Sequence, residues 1–182
     1  MNYTNENVRR QDRILEKQDA EKLLKNGEYG VLSLSAQDGA YGVPVSFAWD
    51  GDSRIYLHCA KSGRKIDAMK SSPDASFCIV GRTKTLPEKF STEYESVVVK
   101  CRAKLGLDTE TKLRALRLLV EKYSPDYIAE GQKYAESALQ RVEVVELEML
   151  QRKSPIPRNA EEVAATPRGL LKCCRDTAGI TT

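Results

Sequence analysis

The residues best placed to do chemistry lie in one stretch, His58-Cys59-Ala60-Lys61-Ser62-Gly63-Arg64-Lys65-Ile66-Asp67. It leaves a strand-like run, passes through a glycine and enters a helix-like run. Lys61, Arg64 and Lys65 surround that glycine. A helix N-terminus has unpaired N–H groups with partial positive charge, so it favours acids. A cationic first turn inverts the preference and costs stability unless an anion neutralises it. A phosphate would do so, because free N–H groups, the Ser62 hydroxyl and a guanidinium fork can converge on one phosphoryl group. The competing reading is a solvated basic loop. His58 is the only histidine in the chain and stands just before this loop. It can hydrogen-bond a ring or a phosphate, donate a proton to a substrate or ligate haem iron. A purely structural histidine is the alternative.

These residues need elements to position them. In Tyr41 to Trp49 the large side chains Tyr41, Val43, Val45, Phe47 and Trp49 alternate with Gly42, Pro44, Ser46 and Ala48. On a single strand this makes one bulky apolar face and one face of small residues. A flat ring could lie on the small face; close packing of another element explains it equally well. Asp38-Gly39 and Asp50-Gly51 are turn signals that join this strand to Val31–Ser35 before it and to Arg54–Ala60 after it, an antiparallel meander. A short helix is expected at Ala20–Lys25 behind an Asp19 cap, and another at Arg64–Lys70, ended by Ser72-Pro73. Strands follow at Ala75–Gly81, at Tyr94–Leu107 and at Leu139–Leu150. A loop is expected from Thr83 to Thr92, where Pro87 and several charges fall. Asp108 caps the clearest amphipathic helix, Thr109–Lys122, and a weaker one spans Ile128–Glu136. The expected fold is mainly β with peripheral helices (α+β), about six antiparallel strands closing as a small barrel. The domain spans residues 19–151, between an N-terminal arm (1–18) and a flexible C-terminal tail (152–182).

The bulk composition narrows the function. The chain has 182 residues, 41% hydrophobic and 30% charged, enough for one domain with a sizeable core. A net charge of +3 does not by itself argue for nucleic acid. No run approaches the about 18 apolar residues of a membrane helix, and Met1–Arg13 lacks the apolar stretch of a signal peptide, so a cytoplasmic protein is expected. Of the five cysteines, Cys59, Cys78 and Cys101 read as buried reduced thiols, whereas Cys173 and Cys174 fall in the polar tail. No nucleophile elbow, phosphate loop or dinucleotide fingerprint is present. One histidine cannot build a multi-histidine metal centre, so no metal site is expected. That pattern suits a borrowed cofactor that brings its own redox chemistry.

At Arg9-Arg10-Gln11-Asp12-Arg13, Tyr41-Gly42-Val43-Pro44-Val45-Ser46-Phe47 and Ile55 to Asp67, the sequence resembles the nitroimidazole-resistance proteins. These belong to the pyridoxamine 5′-phosphate oxidase-like flavin-binding split barrels. Tyr94 to Val99 and Leu116 to Tyr123 extend the likeness, which covers about residues 8 to 150. The resemblance implies a six-stranded split barrel that binds FMN as a homodimer, with two flavin sites at the subunit interface. It implies that the Val43–Phe47 strand lines the ring, with Pro44, Val45, Ser46 and Phe47 as the candidate contacts. The loop of Lys61, Ser62, Gly63, Arg64 and Lys65 would hold the phosphate, and His58, Cys59 and Ala60 just before it are further candidates for binding the cofactor. Tyr94, Glu95 and Ser96 would approach from the partner chain or the adjoining strand. His58 is the candidate catalytic residue. The implied activity is an oxidoreductase that reduces a small-molecule electron acceptor, such as a nitro compound, with a nicotinamide as possible donor. A haem-binding or haem-degrading barrel and a non-enzymatic flavin binder are the rival readings.

Overall fold

The computed structural model describes residues 13–150 and, as backbone alone, 171–177. In chain order the elements are α1 (Lys17–Asn26), β1 (Gly30–Ala36), β2 (Gly39–Val45), β3 (Ala48–Trp49), β4 (Arg54–Ala60) and α2 (Arg64–Ser71). Then come β5 (Asp74–Leu86), β6 (Ser91–Lys104), α3 (Thr109–Tyr123), α4 (Ile128–Ala138), β7 (Val142–Met149) and β8 (Leu171–Thr177). All strand pairs are antiparallel, in the order β2-β1-β5-β6-β7-β4-β3, with β8 added to β6. Among the described residues no helix is long and apolar enough to cross a membrane.

The two ends of this order, β2 and β3, are consecutive in the chain. Only Ser46 and Phe47 separate Val45 from Ala48. At the roughly 3.3–3.6 Å an extended residue can span, the sheet's two edges must come within about 10 Å of each other there. The sheet therefore curls into a barrel closed on that side by covalent continuity, with no β2–β3 ladder. Its interior holds Leu32, Phe47, Ile55, Leu57, Phe77, Ile79, Val97, Val145 and Leu147, all buried, with Leu23 and Leu24 of α1 packed into the same cluster. A second cluster lies outside the barrel wall, where Leu116 and Leu119 of α3 cover Ala48, Tyr56 and Val144. Tyr56 donates to the buried Glu146 at 3.2 Å and accepts from Arg114 at 3.1 Å, which ties α3 to β4 and β7.

Several elements differ from the sequence reading for physical reasons. The strand expected over Tyr41–Trp49 is two, because the chain crosses from one sheet edge to the other at Ser46–Phe47. α1 starts a turn earlier than Asp19. Lys17 pairs with Glu21 at 3.7 Å, and Asp19 sits in the first turn, bonded to Lys22 at 3.0 Å. The expected loop from Thr83 to Thr92 is instead a long hairpin. β5 runs on to Leu86 and pairs with β6 from Thr83↔Tyr94 to Leu86↔Ser91, after an irregularity between Val80 and Thr83. Pro87 occupies the turn, and Phe90 completes it at φ 49°. The tail was expected to be mobile, yet the backbone of 171–177 pairs with Glu93–Val99, where β7 leaves the edge of β6 open. The arm over 1–12 and the remainder of 152–182 lie outside the described residues, as does the basic N-terminal motif apart from Arg13.

Candidate functional site

The barrel has a seam. β3 covers β4 only at Ile55 and Tyr56, so the edge of β4 from Leu57 to Ala60 has no strand partner on that side among the described residues. The outer edge of β2 has none either. Sheet edges of this kind present N–H and C=O groups available to a ligand. The chain crossing brings both edges to the same side of the molecule.

On β2, Gly42, Pro44 and Ser46 are exposed, while Tyr41, Val43 and Val45 are half-buried against the core. The small face thus looks outward along the seam. Phe47 does not follow. It is fully buried and meets Phe77 edge-on with ring centroids 5.1 Å apart. Its N–H donates to the Tyr123 hydroxyl at 2.9 Å, and that hydroxyl's hydrogen is shared between the carbonyls of Phe47 (3.1 Å) and Glu28 (2.5 Å). The Phe47 side chain is therefore barrel core and cannot line a ring on the outer face. The edge-to-edge crossing resets the strand alternation at this residue.

On β4, His58 and Ala60 are exposed on the outer face, beyond the part covered by α3. Partial burial first, and the Lys65 charge second, hold the imidazole below its ordinary pKa, so the ring is neutral at neutral pH. Cys59 points inward against the core, and burial raises its thiol pKa. Its side chain is thus a wall of the barrel interior, with only its backbone on the seam.

Lys61, Ser62 and Gly63 are exposed and lead into α2. Gly63 has φ 117°, where a side chain would be strained, and open space around its missing Cβ. No side chain caps α2, whose first backbone bond runs from the Asp67 N–H to the Gly63 carbonyl at 3.1 Å. The N–H groups before it are free to bind an anion. Lys61 and Lys65 have no carboxylate partner among the described residues. Arg64 does: its Nη2 lies 2.9 Å from each oxygen of Asp38, and its guanidinium stacks 4.4 Å over the Tyr41 ring. Asp67 adds an acid to the first turn. The expected demand for an outside anion thus falls on the two lysines and the free N–H groups. Arg64 also shows that the start of α2 and the β1–β2 hairpin are neighbours, through the face of β2 that carries Tyr41.

Tyr94, Glu95 and Ser96 are not brought to the seam within one chain. They are half-buried on β6, which reaches β4 only through β7 at Cys101–Lys104. At ~3.3 Å per residue Ser96 is about 17 Å further along that strand. Glu95 instead lines a groove of about 490 Å³ with Leu23, Tyr29, Val80 and Arg82. Asp38 and Tyr123 carry weight at the seam that their sequence context hides. Asp38 reads as a turn residue, and Tyr123 as the last apolar position of a helix.

A barrel left open along one seam, with an exposed histidine and an uncapped basic loop on its borders, defines a split barrel. The chain belongs to the pyridoxamine 5′-phosphate oxidase family, whose model matches residues 16–152. Among solved structures, it resembles a candidate 5-nitroimidazole antibiotic resistance protein from Bacteroides thetaiotaomicron, with 22% identity, TM-score 0.64, and 76% of this chain and 82% of that one covered. An FAD-binding protein from Mesorhizobium loti gives 21% identity and TM-score 0.51, over 76% and 91% of the two chains. An FAD- and haem-binding protein from Mycobacterium smegmatis gives 13% identity and TM-score 0.61, over 92% and 87%. At these identities the likeness establishes the split-barrel fold. No curated protein sequence matches the chain.

Proposed function

We propose that this protein binds FMN along the seam, at the interface of a homodimer, and passes electrons from a nicotinamide donor to a small acceptor such as a nitro compound. The observation that carries the reading is the uncapped start of α2. Free N–H groups, the Ser62 hydroxyl and two lysines without acidic partners among the described residues, Lys61 on the exposed loop and Lys65 in the first turn of α2, lie beside an open sheet edge. A terminal phosphoryl group matches that donor set. Gly42, Pro44 and Ser46 leave room for a flat ring, and the edges of β2 and β4 offer N–H and C=O groups to its polar rim. Bound there, the flavin supplies hydride or single-electron transfer. The chain's own part is to hold and orient. His58, neutral and at the border, donates one hydrogen bond to ring or acceptor without adding a charge. Similar solved structures that bind FAD lend support to a flavin, and a donor set suited to one phosphoryl group is what favours FMN. Cytoplasmic nicotinamide donors and reduced thiols accord with Cys59, Cys78 and Cys101, all unpaired.

The visible spectrum of the purified protein, with and without added FMN, is the first test. Yellow flavin bands that survive desalting are expected, and a colourless protein that ignores FMN would overturn the reading. The Lys61→Ala/Lys65→Ala double variant should bind FMN at least tenfold more weakly while riboflavin, which lacks the phosphate, binds as before. A second reading has its own observation. A neutral, exposed imidazole is a competent axial ligand for iron. A Soret band on haem addition that disappears in His58→Ala would favour haem over flavin.

A further inference from the structure

We propose that Asp38 and Tyr41 are positioning residues that preset Arg64 for the phosphoryl group, an inference that rests on the flavin reading above. Arg64 is the first residue of α2, but both of its partners belong to the β1–β2 hairpin. Asp38 stands in its turn and Tyr41 on β2. Three features set this contact apart from an ordinary ion pair. First, both Asp38 oxygens fall on a single nitrogen, Nη2, at 2.9 Å each. A guanidinium has five N–H donors, so Nε and Nη1 keep three donors free. Second, the guanidinium plane is fixed by a cation–π stack on Tyr41, which removes the freedom a lysine-like chain would retain. Third, the arginine and aspartate side chains are 52% and 67% exposed, so the pair contributes little to stability. Its effect is on where the fork points.

An arginine held this way has already lost the rotamer freedom that binding would otherwise cost. It belongs to the same first turn as Lys65 and the free N–H groups of α2, and its remaining donors are those it would add to them on one anion.

The test isolates the phosphate by comparing FMN with riboflavin, using fluorescence quenching on the full chain. The parent protein should prefer FMN. Asp38→Asn and Tyr41→Leu should each lower the FMN-to-riboflavin affinity ratio by about fivefold, the scale of one ordinary hydrogen bond. Asp38→Glu should restore most of it. Riboflavin affinity and thermal midpoint should hardly change, which separates positioning from a structural role. An unchanged ratio in both variants overturns the clamp while leaving FMN binding intact. A raised ratio in Asp38→Asn also overturns it, because Asp38 would then be a competitor for Arg64. If the parent binds neither compound, it is the flavin reading that fails.

Discussion

Gly63 and Lys122 show how single residues set the properties of the seam. Gly63 turns the chain from β4 into α2 at φ 117°, and nothing crowds its missing Cβ, so the cost of a side chain there is backbone strain alone. Gly63→Ala should lose about 1–2 kcal/mol in urea unfolding and weaken FMN more than riboflavin, because relaxing the strain moves the loop N–H groups. Lys122 lies behind the chain crossing. Its Nζ is buried without a hydrogen-bond partner, 3.5 Å over the Phe47 ring, and burial brings its pKa down to about 8 from 10.5. Between those values the unfolded chain holds a proton that the folded chain has lost, so stability rises with pH across about 8 to 10.5. The charging cost is present in full below 8. Lys122→Met should therefore gain most over the parent near pH 7, on the order of 1–2 kcal/mol after losing the ring contact, and less at pH 10. Paired urea titrations at the two pH values check this, and a pH-independent difference would place the amine in water. The sequence exposes Gly63 and the cations around it, because a glycine between a strand pattern and a helix pattern is a local signal. It does not expose the partner of Arg64. Asp38 lies in a different hairpin, and only barrel closure makes the two neighbours.

Elements that bury a face were legible, and those that do not were missed. α3 and β4 follow their expected bounds closely because one face of each is apolar and Asp108 caps α3, accepting from the Thr111 N–H at 2.8 Å. The outer half of the β5–β6 hairpin has Thr83, Lys84 and Thr85 exposed, so it carries no alternation to read, and its threonines were outweighed by Pro87. β2 and β3 merge in sequence because nothing local marks where a strand changes edges. What holds that crossing is the end of α3. The Tyr123 hydroxyl takes the Phe47 N–H and reaches the carbonyls of Phe47 and Glu28, joining helix, crossing and the approach to β1. Tyr123→Phe keeps the ring and strands these groups, at a cost of about 1–2 kcal/mol in thermal or urea unfolding. Hydrogen exchange should speed up at Phe47 more than at Leu57 in the centre of β4. Equal changes at both would mean that Tyr123 supports the barrel generally.

At the scale of the whole molecule, the proposed site is one that two chains would share. The start of α2 is tied to the β1–β2 hairpin through Arg64, whereas Tyr94, Glu95 and Ser96 sit well along β6 from its pairing with β7 at Cys101–Lys104. The surface around them mixes charged side chains with exposed apolar ones. Tyr29 and Val80 are 55% and 47% exposed in the groove that Glu95 lines, and Phe90 is 79% exposed at the hairpin tip. A second copy seated on that groove would bury these side chains and carry its own seam toward Tyr94–Ser96. Flavin binding and association are then linked. A ligand that contacts two chains stabilises the dimer, and diluting the protein weakens the ligand. Sedimentation velocity across a dilution series should show FMN shifting monomer toward dimer, with apparent flavin affinity falling as the protein is diluted through its dissociation midpoint. Val80→Glu, which puts a charge into the groove far from the phosphate loop, should lower dimerisation and FMN affinity together while leaving the monomer folded by circular dichroism. A Val80→Glu monomer that keeps full FMN affinity would place the whole site within one chain and leave Tyr94, Glu95 and Ser96 without a role in it.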